Sequence, residues 1–304
     1  MPGRSIYGKK LQADNATRIV LLVSERDALL HQKAESLSSR LGLPLIRHEG
    51  EIVTDRQLPL TAEFDHHCLS GYDFALLVCT HGLMLKDLQS SMRPLLIDFS
   101  KFSIGTTGSR PSVNRKLLVR AVRGRVKRAE SDHYSPDGFH PDVIDCTAGL
   151  GRDAFQLALA GFRVLMIEKD AVMSALLADA LQRAEPEADA TAVSDRLRLE
   201  HSDALVWLDK SRERFTAQQR KSMVAYIDTM FPEKKGTALV KREMQFLQSM
   251  IGPRDGCEEL VLAARSAGFG KIVIKRPVHW KWKHAFKINA TINSKVIRYD
   301  VVVP

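Results

Sequence analysis

The stretch Asp145-Cys-Thr-Ala-Gly149-Leu-Gly151-Arg-Asp153 follows the apolar run Val143-Ile144 and leads directly into Ala154-Phe-Gln-Leu-Ala-Leu-Ala160. An apolar run closing on an acid, a turn carrying two glycines and then a helix-forming segment read as strand, tight turn and helix. That unit opens a series. Arg163 to Glu168 reads as a second strand, Ala171 to Arg183 as an Ala- and Leu-rich helix, Leu197 to Glu200 as a third strand and Met223 to Asp228 as a fourth. Helices are expected over Ala238 to Met250 and Glu258 to Ala267, with Lys271 to Lys275 as a fifth strand. Strands alternating with helices make a parallel sheet with crossover helices on both faces. From Phe286 onward the pattern changes to two strands joined near Asn293-Ser294.

Upstream the signals are shorter. Arg18 to Ser24 reads as a buried strand, and Ser24 with Glu25, Arg26 and Asp27 is placed to cap a helix running to about Leu41. Pro44 to His48, Phe74 to Cys79 and Leu95 to Phe99 are further runs of strand length. Ser103 to Pro111 is rich in Gly, Ser, Thr and Pro and reads as a linker, before a basic amphipathic helix from about Ser112 to Arg128. The expected organisation is therefore a small α/β unit over residues 1–110 and a larger doubly wound α/β domain over 111–304.

In open α/β sheets ligands bind at the carboxyl ends of the strands, where the Gly149–Gly151 loop lies. Glycines let the backbone turn tightly, and the exposed amides of a helix start favour an anionic group such as a carboxylate. Glu168, ending the second strand, is placed to accept both hydroxyls of a ribose. The same spacing also fits a dinucleotide fingerprint, with Gly149, Gly151, Ala154 and an acid on the next strand. Three features weigh against that rival. Asp145 precedes the loop, Asp153 would set negative charge where a pyrophosphate belongs, and a second motif follows the fourth strand. A parallel sheet finished by a hairpin also suits a methyltransferase better than a dehydrogenase.

That second motif is Asp228-Thr-Met-Phe231-Pro232, on the same edge of the sheet. It is similar to the acid-Pro-x-aromatic motif of methyltransferases acting on exocyclic amines of planar substrates. A base amino group is a poor nucleophile because its lone pair is delocalised, so catalysis depends on orienting the nitrogen and stabilising the charge it acquires. Asp228 can accept its N–H bonds and Phe231 can stack on the base. The structural alternative is an Asp capping the next turn and a core Phe.

Four segments together, Asp145 to Phe155, Ile167-Glu168-Lys169, Asp228 to Met244 and Val273-Ile-Lys-Arg-Pro277, resemble the ribosomal RNA small subunit methyltransferase J family. The resemblance runs from about Leu95 to the end. It implies a Rossmann-like class I methyltransferase sheet ending in an antiparallel hairpin, S-adenosylmethionine as cofactor, and methylation of a guanine N2 amine in 16S ribosomal RNA. Position by position, it places cofactor contacts on Arg152, Asp153, Glu168, Lys169, Asp203, Ala204 and Asp228, beside Gly149 and Gly151. Asp228 and Phe231 are the catalytic candidates. The sequence departs from the family at Thr229, where the pattern has proline. Proline would fix φ and stiffen the turn.

Composition agrees with a polyanion partner. The 304 residues carry a net charge of +9. Arg110, Arg115, Lys116, Arg120, Arg123, Arg125 and Lys127 lie in a stretch without an acid, and Leu260 to Tyr299 holds no Asp or Glu at all. Solvated helix faces usually interleave both signs, so one-signed stretches favour a polyanion surface, and the resemblance implies that this partner is ribosomal RNA. In Val278-His-Trp280-Lys-Trp282-Lys-His284, cations alternate with rings that could stack on bases or pack in the core. A small-molecule or protein amine methyltransferase would need no such surface, and an inactive RNA-binding relative would not turn over. Asp65-His66-His67-Cys68 reads as a polar loop rather than a metal site, and Cys68, Cys79, Cys146 and Cys257 as reduced thiols. No apolar run approaches the roughly 20 residues of a membrane span, and Met1 to Lys10 lacks the pattern of a secretory signal, so the cytoplasm is expected.

Overall fold

The computed structural model describes residues 17–49, 52, 66–90, 93–99, 113–123, 139–184, 193, 195–228, 257–280 and 286–304. These form two sheets. The first has four strands, β1 (Ile19–Ser24), β2 (Leu45–His48), β3 (Phe74–Cys79) and β4 (Gly82–Asp87), in the order β2-β1-β3-β4. β1 is parallel to β2 and β3, and β4 returns antiparallel to β3. Helix α1 (Ala28–Leu41) connects β1 to β2, and α2 (His66–Leu69) is a single turn before β3.

The second sheet has seven strands: β5 (Val143–Asp145), β6 (Val164–Glu168), β7 (Leu197–His201), β8 (Val224–Asp228), β9 (Lys271–Pro277), β10 (Ala290–Asn293) and β11 (Ile297–Val302). Their order is β10-β11-β9-β8-β5-β6-β7. Strands β5 to β9 are mutually parallel, and β11 runs antiparallel between β9 and β10. The expected terminal hairpin is present, with its second strand inserted against β9. This is the strand order of the class I methyltransferase sheet.

The helices of this sheet are α3 (Val113–Arg123), α4 (Arg152–Leu159), α5 (Ala171–Ala184), α6 (Ala204–Arg214), α7 (Ala217–Ser222) and α8 (Cys257–Ala267). Alternation along the strands sorts the core between the two faces. Val143, Val164, Met166, Tyr226, Val273 and Tyr299 pack with Leu118, Phe155, Leu157 and Leu176 from α3, α4 and α5. Ile144, Leu165, Ile167, Ala225, Ile227, Ile272 and Ile274 pack with Trp207, Leu208, Val261 and Ala264 from α6 and α8. The first cluster continues without a break into Leu21, Val23, Leu76, Val78, Leu83 and Leu85 of the small sheet.

Polar contacts reinforce that seam. Asp179 of α5, buried, accepts from Lys33 Nζ of α1 at 2.8 Å, from Arg183 Nε at 2.8 Å and from the Leu83 amide of β4 at 2.9 Å. Arg183 also donates to the Ile97 carbonyl. Lys271, at the start of β9, donates to the carbonyls of Ala121 and Val122 at 3.0 and 2.9 Å, capping the carboxyl end of α3.

Three upstream expectations change. Helix α1 is capped by Asp27, whose Oδ1 accepts from the Leu29 and Leu30 amides at 2.9 and 3.1 Å, while Ser24 ends β1. β4 was not expected, because the turn Thr80-His81 lacks the glycine pairs that announce a hairpin. Leu95 to Phe99 is not a strand: only Leu95 pairs, with Leu85, and Ile97 and Phe99 point into the core instead. The linker, the helix expected over Ala238 to Met250 and Trp282 lie outside the described residues, as do the side chains of His66 and His67.

Candidate functional site

Four consecutive parallel strands deliver the site residues to one edge. Asp145 ends β5, and the turn after it carries Gly149 and Gly151 into α4, which begins with Arg152 and Asp153. Glu168 ends β6 with Lys169 next to it, Asp203 and Ala204 begin α6 after β7, and Asp228 ends β8. Phe231 and Thr229 lie outside the described residues.

The turn is built on positive φ. Gly149 has φ 54° and Gly151 has φ 68°, and a Cβ on Gly151 would sit 2.8 Å from Leu177 Cδ2 and 3.0 Å from Phe99 Cζ. Only glycine meets both demands there. Glu168 is buried, and its two oxygens accept from the Gly149 amide and the Asp170 amide, each at 2.9 Å. The carboxylate therefore ties the end of β6 to the loop after β5. Asp203 accepts from the Leu205 amide at 2.8 Å and so caps α6, with Ala204 buried behind it. Lys169 is exposed, and its carbonyl lies 3.2 Å from His201 Nε2.

A charged cluster occupies the middle of the edge. Lys275 Nζ donates to Asp153 Oδ2 at 2.7 Å and to Asp228 Oδ2 at 2.8 Å. Tyr226 Oη donates to the same oxygen of Asp153 at 2.6 Å, and Thr147 Oγ1 accepts from the Asp228 amide at 2.7 Å. The side chains of Lys275, Asp153 and Asp228 are 21%, 16% and 20% exposed, so the pairs are shielded yet reachable from the edge. Burial, then the nearby charges of Asp153 and Asp228, push Asp145 up to about 8. For Asp153 burial acts in the same direction, but the charge and hydrogen bond of Lys275 and the Tyr226 hydroxyl outweigh it and hold the group below the usual carboxylate range. Burial likewise works against the Lys275 ammonium, and Asp153 and Asp228 more than offset it.

Thr147, Tyr226 and Lys275 were not among the expected site residues. Their signals were present: Thr147 lies in the glycine loop, two-residue alternation puts Tyr226 on the same face as Asp228, and Lys275 sits in the Val273 to Pro277 motif. In the sheet, Asp228 pairs directly with Lys275.

Acids outnumber cations at this edge, which suits a ligand that carries positive charge. A family model for S-adenosylmethionine-dependent methyltransferases matches residues 59–304. Ribosomal RNA small subunit methyltransferase J of Thioalkalivibrio sulfidiphilus is 32% identical, the match covering 94% of this chain and 98% of that protein. The protein of the same name from Hydrogenovibrio crunogenus is 34% identical, covering 90% and 92%. The chain belongs to the ribosomal RNA small subunit methyltransferase J family. Its members are S-adenosylmethionine-dependent enzymes, and the acid-rich edge fits that sulfonium cofactor. Among solved structures, an S-adenosylmethionine-dependent methyltransferase from Neisseria gonorrhoeae matches 94% of this chain and 96% of its own, with TM-score 0.58 and 19% identity, a likeness of fold.

Proposed function

We propose that this enzyme of the methyltransferase J family transfers a methyl group to the exocyclic N2 amine of a guanine in 16S ribosomal RNA of the small subunit. The observation that carries the reading is the Asp153–Lys275–Asp228 chain of hydrogen bonds, which joins the cofactor loop to the acid of the amine motif. Bound S-adenosylmethionine supplies an electrophilic methyl on a positively charged sulfur. Gly149, Gly151, Arg152 and Asp153 line its amino-acid end, and Asp203 and Ala204 flank the far side. Glu168 takes the ribose: two amides fix its orientation, and a carboxylate offers about four acceptor sites in all. Asp228 accepts from the target amine, holds its lone pair toward the methyl and stabilises the charge that grows on nitrogen. Phe231 stacks on the base. The names of the relatives and the acid-free basic stretches support ribosomal RNA as the partner.

Incubation with labelled S-adenosylmethionine and unmodified small ribosomal subunits tests this. Label should appear in the RNA and, after digestion to nucleosides, in N2-methylguanosine. Label in ribosomal protein or in another nucleoside would refute the assignment.

A further inference from the structure

We infer that Lys275 is a positioning residue for methyl transfer, clamping the Asp228 carboxylate to the Asp153 carboxylate of the cofactor loop so that Asp228 keeps its orientation toward the amine. The inference rests on the proposed role of Asp228. Its geometry is explicit: β8 and β9 are in register with Asp228 opposite Lys275, and one ammonium bonds Oδ2 of both acids at 2.7 and 2.8 Å. Lysine suits this because its ammonium is a compact point charge with three donors.

The surroundings make the cation necessary. Facing this cluster are Asp145 from β5, Arg152 and Asp153 from α4, Tyr226 and Asp228 from β8, Cys257 from α8 and Tyr299 from β11. Three carboxylates thus share one shielded space, where like charges disfavour ionisation. Asp145, buried and accepting from the Thr147 amide, is raised first by that burial and then by the charges of Asp153 and Asp228. Asp153, bonded to Lys275, is moved the other way. The second partner of Lys275 is the residue that ends β8 at the substrate edge, and its backbone is pinned independently by Thr147.

The test compares wild type, Lys275→Met, Lys275→Arg and Asp228→Asn in the full chain, with kcat and KM measured for methyl transfer to small subunits. Thermal melts report folding, and calorimetry reports S-adenosylmethionine binding. Lys275→Met removes the cation that bridges the two acids, so kcat should fall by about tenfold or more while KM for the small subunit changes far less. Lys275→Arg keeps the charge and should recover part of that loss. Its larger planar fork spaces the two oxygens differently, so kcat should still fall severalfold.

A folded Lys275→Met enzyme with the wild-type kcat overturns the inference. If that variant does not fold, Lys275→Arg with wild-type kcat overturns it equally. Should wild type leave ribosomal RNA unmethylated, or Asp228→Asn remain fully active, the proposed function itself fails and the inference falls with it. An inactive Asp228→Asn beside indifferent Lys275 variants defeats the lysine alone.

Discussion

A carboxylate differs from its amide far more in charge than in size, so Asp228→Asn should retain the fold and lose less in S-adenosylmethionine binding than in turnover. Turnover should fall about 10²–10³-fold, the usual cost of losing one preorganised electrostatic contact, and a single-turnover assay would measure it. Glu168→Ala removes the acceptor proposed for the ribose and lowers cofactor affinity by about 1–3 kcal/mol in calorimetry. The Gly149 and Asp170 amides lose their acceptor as well, so the melting temperature should drop in the same variant. Asp145 acts through pH. Its folded pKa, about 8, lies above the ordinary 3.8, so its contribution to stability is fully present below about pH 4 and lost as pH rises through 8. Melts of Asp145→Asn should lack that step, the difference from wild type changing across this interval. Asp228 and Glu168 could be read from the chain because each closes an apolar run. Tyr226 and Lys275 carried signals too, but their shared bond to Asp153 shows only once α4 is packed on β8 and β9 is set in register beside it.

At the scale of elements, β5 to β9 were legible to within a residue or two, since long apolar runs and a glycine turn leave little choice of period. β4 was missed because it is apolar on both faces, with Leu83 and Leu85 in one cluster and Met84 in another, and shows no alternation. Helix α3 combines both kinds of signal. Leu117, Leu118, Ala121 and Val122 are buried, whereas Arg120 and Arg123 are exposed. Because Lys271 caps its carboxyl end, the helix is held against the sheet with these arginines outward. Replacing Arg120 and Arg123 by Ala should weaken RNA binding and reduce the steepness of its salt dependence by about two, one unit per lost phosphate contact, with cofactor affinity unchanged. Binding titrations over a range of salt concentrations would show this. An unchanged slope would mean that RNA lies elsewhere.

For the whole molecule, the seam between the two sheets matters more than either sheet alone. Asp179 gathers donors from α1, β4 and α5 at one buried carboxylate. Asp179→Ala leaves a buried amide and two cations without that acceptor and should cost about 1–3 kcal/mol, seen as a lower urea midpoint. If the seam is what makes the units unfold together, the transition should also broaden or split in two. None of this was legible beforehand, because residues 33, 83 and 179 are far apart in sequence and nothing local links them. The position of β11 bears on synthesis. Although it follows every other described strand, it occupies an interior place between β9 and β10. Until residues through Val302 have left the ribosome, β9 presents an unpaired edge, and such an edge invites another strand. The sheet of this ribosomal RNA methyltransferase is thus sealed from within, by a strand made only after both of its neighbours, β9 and β10.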